Sequence, residues 1–133
     1  MKKTGINGYL LDTNVVIDLF KGQKEIADKI HEATNVFIPV PALGELYLGV
    51  ENSRRKAHHI DQINSLLQLV SSINATEQTA KIYGKIKSVL RTLGRPIPEN
   101  DIWIAAIGLE YGYAVVTRDK HFDNIPDLKT FQW

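Results

Sequence analysis

Short apolar segments alternate with longer segments of helical spacing along the whole of this 133-residue chain. The apolar segments predict strands at 9–11, 36–40, 70–73, 113–116 and 128–131. The helical spacing of apolar residues in the segments between them predicts helices between residues 12 and 22 and over 24–33, 41–50, 54–70, 76–93 and 98–111. Strands that alternate with helices favour a parallel sheet that is covered on both faces. The sequence therefore predicts an α/β fold, a three-layer α/β/α sandwich with a central parallel sheet, as a single domain over residues 1–133.

Local patterns add detail to the helices. Asn74 and Glu77 have the spacing of a capping box, which predicts the start of the helix that ends at Gly94. Apolar residues at helical spacing predict three buried faces, formed by Leu43, Leu46, Tyr47 and Val50, by Ile60, Ile63, Leu67 and Val70, and by Ile82, Tyr83, Ile86, Val89, Leu90 and Leu93.

The residue content excludes several kinds of protein. The chain has no cysteine, which rules out a disulfide scaffold, thiolate metal sites and a cysteine nucleophile. No apolar run reaches the length of a membrane span, and no apolar segment of a signal peptide comes after the charged start at Lys2. We therefore expect a cytoplasmic protein with no membrane association.

The small net charge of +1 conceals an uneven distribution. Residues 52–95 contain eight lysines and arginines and only two acidic residues, whereas both flanking segments are acidic. Such asymmetry is consistent with a polyanionic partner, although solvated helix faces would also explain it.

Four acidic residues lie where apolar segments begin or end. Asp12 and Asp119 each come after a predicted strand, Glu45 borders the apolar face of the helix at 41–50, and Asp101 lies in the first turn of a helix. Each has an ordinary explanation, namely a helix cap, a turn, a salt bridge or an interaction with the helix dipole. Together they can converge at the carboxyl edge of a parallel sheet, where ligands bind in such folds. Four carboxylates repel one another unless cations are present, so the pattern predicts a site for Mg²⁺ or Mn²⁺, ions that can activate water for attack on a phosphodiester.

Other chemistries have less support. The chain lacks the glycine-rich phosphate loops of nucleotide-binding proteins and the signatures of serine hydrolases. His58 and His59 are adjacent and are expected to be solvated. His121 lies close to Asp119 and could touch the site, although a solvated loop residue is the favoured interpretation. A receiver domain is a further possibility, but the first strand lacks the paired acids, and Thr117 and Arg118 stand where its lysine would be.

Four segments resemble a known family. "LLDTNVVIDL", "PALGELYLGV", "DIWIAAIGLEYGYAVVTRDKHF" and "IPDLKTF" are similar to segments of PIN-domain ribonucleases, and more narrowly of the VapC-type toxins of bacterial type II toxin–antitoxin systems. The resemblance covers nearly the whole chain. It implies a PIN-like α/β/α sandwich, RNA cleavage that depends on Mg²⁺ or Mn²⁺, a homodimer, and inhibition by a small antitoxin protein whose tail enters the acidic pocket.

The resemblance also assigns residues. It implies that the catalytic and metal-binding acids are Asp12, Glu45, Asp101 and Asp119, with Asp123 as the alternative to Asp119, and that Thr13, Asn14 and Thr117 support them. We also predict that Arg91 and Arg95 hold RNA phosphates and that Trp103 packs in the core. The favoured hypothesis is a metal-dependent endoribonuclease, and the alternative is a non-catalytic PIN-like module that binds RNA or protein.

Overall fold

The computed structural model describes residues 5–133. The strands are β1 (Gly8–Leu11), β2 (Val36–Pro39), β3 (Ser71–Ile73), β4 (Tyr113–Val116) and β5 (Thr130–Phe131). The helices are α1 (Thr13–Phe20), α2 (Lys24–Glu32), α3 (Val40–Glu51), α4 (Lys56–Leu69), α5 (Glu77–Leu93) and α6 (Glu99–Tyr111), and a 3₁₀ helix (Lys120–Asn124) comes after β4. In this part of the chain, no helix has both the length and the apolar character needed to cross a membrane.

The five strands form one parallel sheet in the order β3-β2-β1-β4-β5. Leu10 and Leu11 of the central strand point to opposite faces of the sheet, and both side chains are fully buried. Both faces are therefore covered, and the predicted α/β/α sandwich with a central parallel sheet is confirmed.

The register of the two central strands determines which residues meet at the carboxyl edge of the sheet. Leu11 of β1 is paired with Val116 of β4, so Asp12 and Thr117 leave the sheet side by side. The backbone N–H of Asp12 still donates to the Val116 carbonyl, at 3.0 Å. This edge is the place where parallel α/β folds bind ligands.

Some local predictions were wrong. α5 begins with a capping box formed by Thr76 and Thr79 rather than by Asn74 and Glu77, because the Thr76 hydroxyl accepts from the Thr79 N–H and the Thr79 hydroxyl accepts from the Thr76 N–H. The buried faces also differ from the predicted ones: Tyr47, Ile60, Val89 and Leu93 are exposed, and Leu66 is buried instead. Helical spacing identifies a stripe, but the neighbours that a helix meets decide which edge of the stripe is covered.

Candidate active site

Asp12 is the acidic residue at the centre of the carboxyl edge, and it is 5% exposed. It is the N-cap of α1, where its Oδ1 accepts from the Thr13 N–H at 2.9 Å. Its Oδ2 accepts from the Thr117 hydroxyl at 2.8 Å, and the Asn14 amide lies 3.4 Å from the same oxygen. The cap and the site are therefore one arrangement: capping orients one carboxylate oxygen, and Thr117 holds the other.

Asp119 is joined to Asp12 through the same threonine. Its backbone N–H donates to Thr117 Oγ1 at 2.9 Å, and its side chain accepts from the His121 N–H at 2.9 Å. The adjoining 3₁₀ helix is anchored by Phe122, whose side chain is fully buried in the core. Asp119 is thus the N-cap of a 3₁₀ helix that is packed against the core.

Asp101 faces Asp119 from the first turn of α6 and is 8% exposed. His121 lies between them, with its Nδ1 3.0 Å from Asp119 Oδ1 and 3.5 Å from Asp101 Oδ2. One potential ligand atom from each of these three residues lies within 4.8 Å of the other two.

Glu45 completes the group from α3. Its Oε1 accepts from the Thr13 hydroxyl at 2.7 Å, and its Oε2 accepts from the Asn100 amide at 2.8 Å. Among the described residues Glu45 forms no salt bridge, so its charge is held by neutral donors. Asn100, the residue before Asp101, was not identified from the sequence, because its contact joins helices across a separation of 55 residues.

The carboxylates are electrostatically unfavourable in their metal-free state. Burial, together with the smaller effect of the nearby charges of Asp12 and Asp119, raises the pKa of Asp101 to about 6, although a hydrogen bond from His121 opposes the shift. Burial also raises the pKa of Asp12, against the hydrogen bonds from Thr117 and Thr13. The neighbouring Arg118 does not relieve this repulsion, because its Nε is 2.9 Å from Asp18 and forms an ion pair there.

These residues fit a divalent cation. The donors are carboxylate oxygens with one imidazole, a set suited to Mg²⁺ or Mn²⁺, and the charges of Asp12, Asp119 and Glu45 lie close enough to act on Asp101. Asp101, Asp119 and His121 have ligand atoms close enough to share one cation, and the charges of Asp12 and Glu45 lie beside them.

The structure also separates residues that the sequence left together. Asp119, rather than Asp123, faces Asp101; Asp123 is exposed and lines, with Asp119, a small cleft beside Arg118. His121 is exposed, as the favoured interpretation expected, but its imidazole also contacts two of the acids, which was the alternative. Its position two residues after Asp119 was the available signal.

Trp103 stacks on Tyr83, with ring centroids 4.2 Å apart, and is only partly buried.

An apolar groove of about 370 Å³ begins at Thr13 and Glu45. It runs between α1, α3 and α4. The apolar part of its lining is formed by Ile17, Phe20, Leu46, Val50 and Ile63, and the cationic or titratable part by Lys21, Arg55, His58 and His59. The groove, which is apolar and partly cationic, therefore adjoins the acidic cluster at Glu45.

The fold and the site together define a class of protein, a parallel three-layer α/β domain with carboxylates grouped at the carboxyl edge of the sheet. The PIN domain family matches this chain over residues 9–128. Ribonuclease VapC1 of Haemophilus influenzae strain R2866 is 33% identical, with 94% of this chain and 97% of that protein covered. The chain therefore belongs to the VapC group of the PIN-domain family.

Solved structures agree. VapBC-1 from nontypeable Haemophilus influenzae has a chain with a TM-score of 0.85 and 33% identity, covering 94% of this chain and 97% of that one. VapBC2 from Rickettsia felis, solved with a DNA fragment from its promoter, has a TM-score of 0.88. At 24% identity over 94% of this chain and 98% of that one, this second likeness supports the fold alone.

Proposed function

We propose that the protein is a metal-dependent endoribonuclease and the toxin of a toxin–antitoxin pair. The observation that carries the proposal is the convergence of Asp12, Glu45, Asp101 and Asp119, from four separate parts of the chain, on one edge of the sheet. Relatives at 33% identity over nearly the whole chain are ribonucleases VapC, which supports RNA as the substrate.

Each acidic side chain has a distinct task in this proposal. Asp12, Asp101 and Asp119 hold Mg²⁺ or Mn²⁺, and Glu45 either joins them or orients a water molecule, with its two oxygens fixed by Thr13 and Asn100. A bound divalent cation would activate water for an in-line displacement and neutralise charge at the phosphodiester.

The partner is proposed to be a small antitoxin protein. The solved relatives include VapBC-1, at 33% identity, and VapBC-5 from Mycobacterium tuberculosis, which shares the fold and is a member of a family of toxin–antitoxin systems. The apolar groove that leads to Glu45 offers a surface along which a partner segment can reach the carboxylates. We also expect the free protein to be a homodimer.

The proposal is tested with purified protein and a mixture of cellular RNAs in Mg²⁺ or Mn²⁺ at a concentration on the order of millimolar, since sites with few protein ligands bind these ions weakly. We expect a small set of discrete fragments, and sequencing of their ends will identify the target. Binding of RNA without any cleavage would favour the non-catalytic PIN-like module instead.

Thr117 is expected to act through the acids that it orients. Thr117→Val removes the donor to Asp12 Oδ2 and the acceptor for the Asp119 N–H, so both carboxylates lose a fixed position. We expect Mn²⁺ affinity, measured by calorimetry, and cleavage rate to fall about 10–100-fold. Thr92→Val, an exposed change on α5, is the control and should leave both unchanged. Wild-type Mn²⁺ affinity in Thr117→Val would refute the positioning role.

A further inference from the structure

A second cleft, of about 330 Å³, lies between the end of α5 and the start of α6. Leu90, Pro96, Ile97 and Ile102 form its apolar wall, and Arg91 and Arg95 stand at its edge. Both arginines are exposed. The cleft therefore combines an apolar surface with two accessible guanidinium groups.

The negative charge in this cleft is already neutralised. Glu99 accepts hydrogen bonds from the Lys87 ammonium and from the Tyr83 hydroxyl, so the acid and the lysine form a closed pair. Within residues 5–133, the Arg91 side chain has no hydrogen bond or ion pair, and the Arg95 side chain has one hydrogen bond, to a neutral amide. The two arginines are thus the cations of the cleft that remain available to an anion.

The cleft adjoins two elements that carry residues of the acidic cluster. Ile102, in its wall, directly follows Asp101 on α6. Arg95 Nη1 donates to Asn124 Oδ1 at 2.9 Å, and Asn124 ends the 3₁₀ helix that carries His121 beside Asp119. A polyanionic chain with one phosphodiester at the carboxylates therefore has this cleft as a neighbouring site.

We propose that the cleft is the subsite for a nucleotide adjacent to the scissile bond of single-stranded RNA. Arg91 and Arg95 hold its phosphate, and the apolar wall contacts the nucleoside. Guanidinium groups pair well with phosphate, and single-stranded nucleic acids are bound by cationic grooves that also offer apolar or aromatic contact to the bases. The inference rests on the proposed ribonuclease function and specifies how that function binds its substrate against the repulsion of the acids.

The test compares two double variants that each remove two positive charges from α5 and its C-terminal extension. Arg91→Ala/Arg95→Ala removes the cleft cations, and Lys81→Ala/Lys85→Ala removes two exposed lysines nearer the start of the helix. The probe is a fluorescein-labelled RNA of mixed sequence, about a dozen nucleotides long, a length comparable with known single-strand site sizes. Binding is followed by anisotropy across a KCl titration, with Ca²⁺ replacing Mg²⁺ and intact RNA verified on a gel.

We expect the arginine variant to bind RNA about 10-fold or more weakly, and its plot of log affinity against log salt to be flatter by about 1.4, because each lost contact to a single strand removes about 0.7. The lysine variant should differ from wild type by less than about 2-fold. Circular dichroism must show that both variants are folded. In Mg²⁺ the arginine variant should have a raised KM and a nearly unchanged single-turnover rate.

Equal losses of RNA affinity in the two variants would show that the positive charge of α5 as a whole attracts RNA, and would overturn the subsite. Unchanged RNA binding in the arginine variant would also overturn it. If the arginines are needed for an oligo-glutamate peptide but not for the RNA, the cleft binds a protein partner and the inference is also wrong. If RNA binds through the arginines but is never cleaved in Mg²⁺, the subsite stands and the proposed catalytic function fails. If RNA is cleaved and the variants bind it like wild type, only the subsite fails.

Discussion

Asp101→Asn should abolish RNA cleavage while leaving the protein folded and, in the absence of metal, more stable than wild type. The substitution removes one of the grouped carboxylates, and a neutral amide binds Mg²⁺ or Mn²⁺ more weakly than a carboxylate does. Metal-ion catalysis is worth several kcal/mol, so we expect a loss of about 10³-fold or more in rate. Removing a charge that burial and Asp12 disfavour should add about 1–2 kcal/mol to the free energy of unfolding.

Asp123→Asn is the matched control for that experiment. Asp123 is also an acid of the segment after β4, but it is exposed and does not face Asp101. It should retain wild-type cleavage, metal affinity and stability. Cleavage by Asp101→Asn at the wild-type rate, or equal losses in both variants, would refute the proposed site. Rates are measured on one RNA at saturating metal, and stabilities by urea unfolding with EDTA.

The affinity for metal and the stability of the metal-free protein should both depend on pH through the ionisation of Asp101. Its folded-state pKa of about 6 is above the ordinary aspartate value of 3.8. The protonated form is therefore favoured by the fold, and the contribution of Asp101 to metal-free stability is greatest at low pH and is lost as pH rises through about 6. A divalent cation binds the ionised form, so its affinity should rise with pH up to about 6 and then level off.

Thermal unfolding at pH 5 and pH 7.5, with EDTA or with saturating Mn²⁺, tests this coupling. We expect Mn²⁺ to raise the melting temperature more at pH 7.5 than at pH 5, and its affinity to be about tenfold weaker at pH 5, one unit below the pKa. EDTA should abolish cleavage at either pH. In Asp101→Asn the pH dependence of any remaining Mn²⁺ effect should be much smaller. A stabilisation by Mn²⁺ that is larger at pH 5 would contradict the proposed role of Asp101.

Local chemistry explains why part of the site was predictable from the sequence. Asp12 and Asp119 come just after apolar strand segments, and the residues that leave the carboxyl ends of parallel strands lie at one edge of the sheet. Asp12 could also be identified as a helix cap, and it is one. The prediction of buried helical faces was weaker, because Tyr47 and Ile60 lie at the margins of their stripes and neither margin is covered by a neighbouring element.

The succession of strands and helices along the chain, and the acidic residues that come just after strands, were determined by the sequence alone, since both depend on interactions within a few residues. The tertiary structure alone decided which side chains meet across the edge of the sheet. Asn100 reaches Glu45, and Arg95 reaches Asn124, across 55 and 29 residues respectively. His121 lies beside Asp101 because Phe122 is buried and fixes the 3₁₀ helix against the core. Such contacts depend on strand order, register and core packing, which bring distant segments together and which no short stretch of sequence encodes.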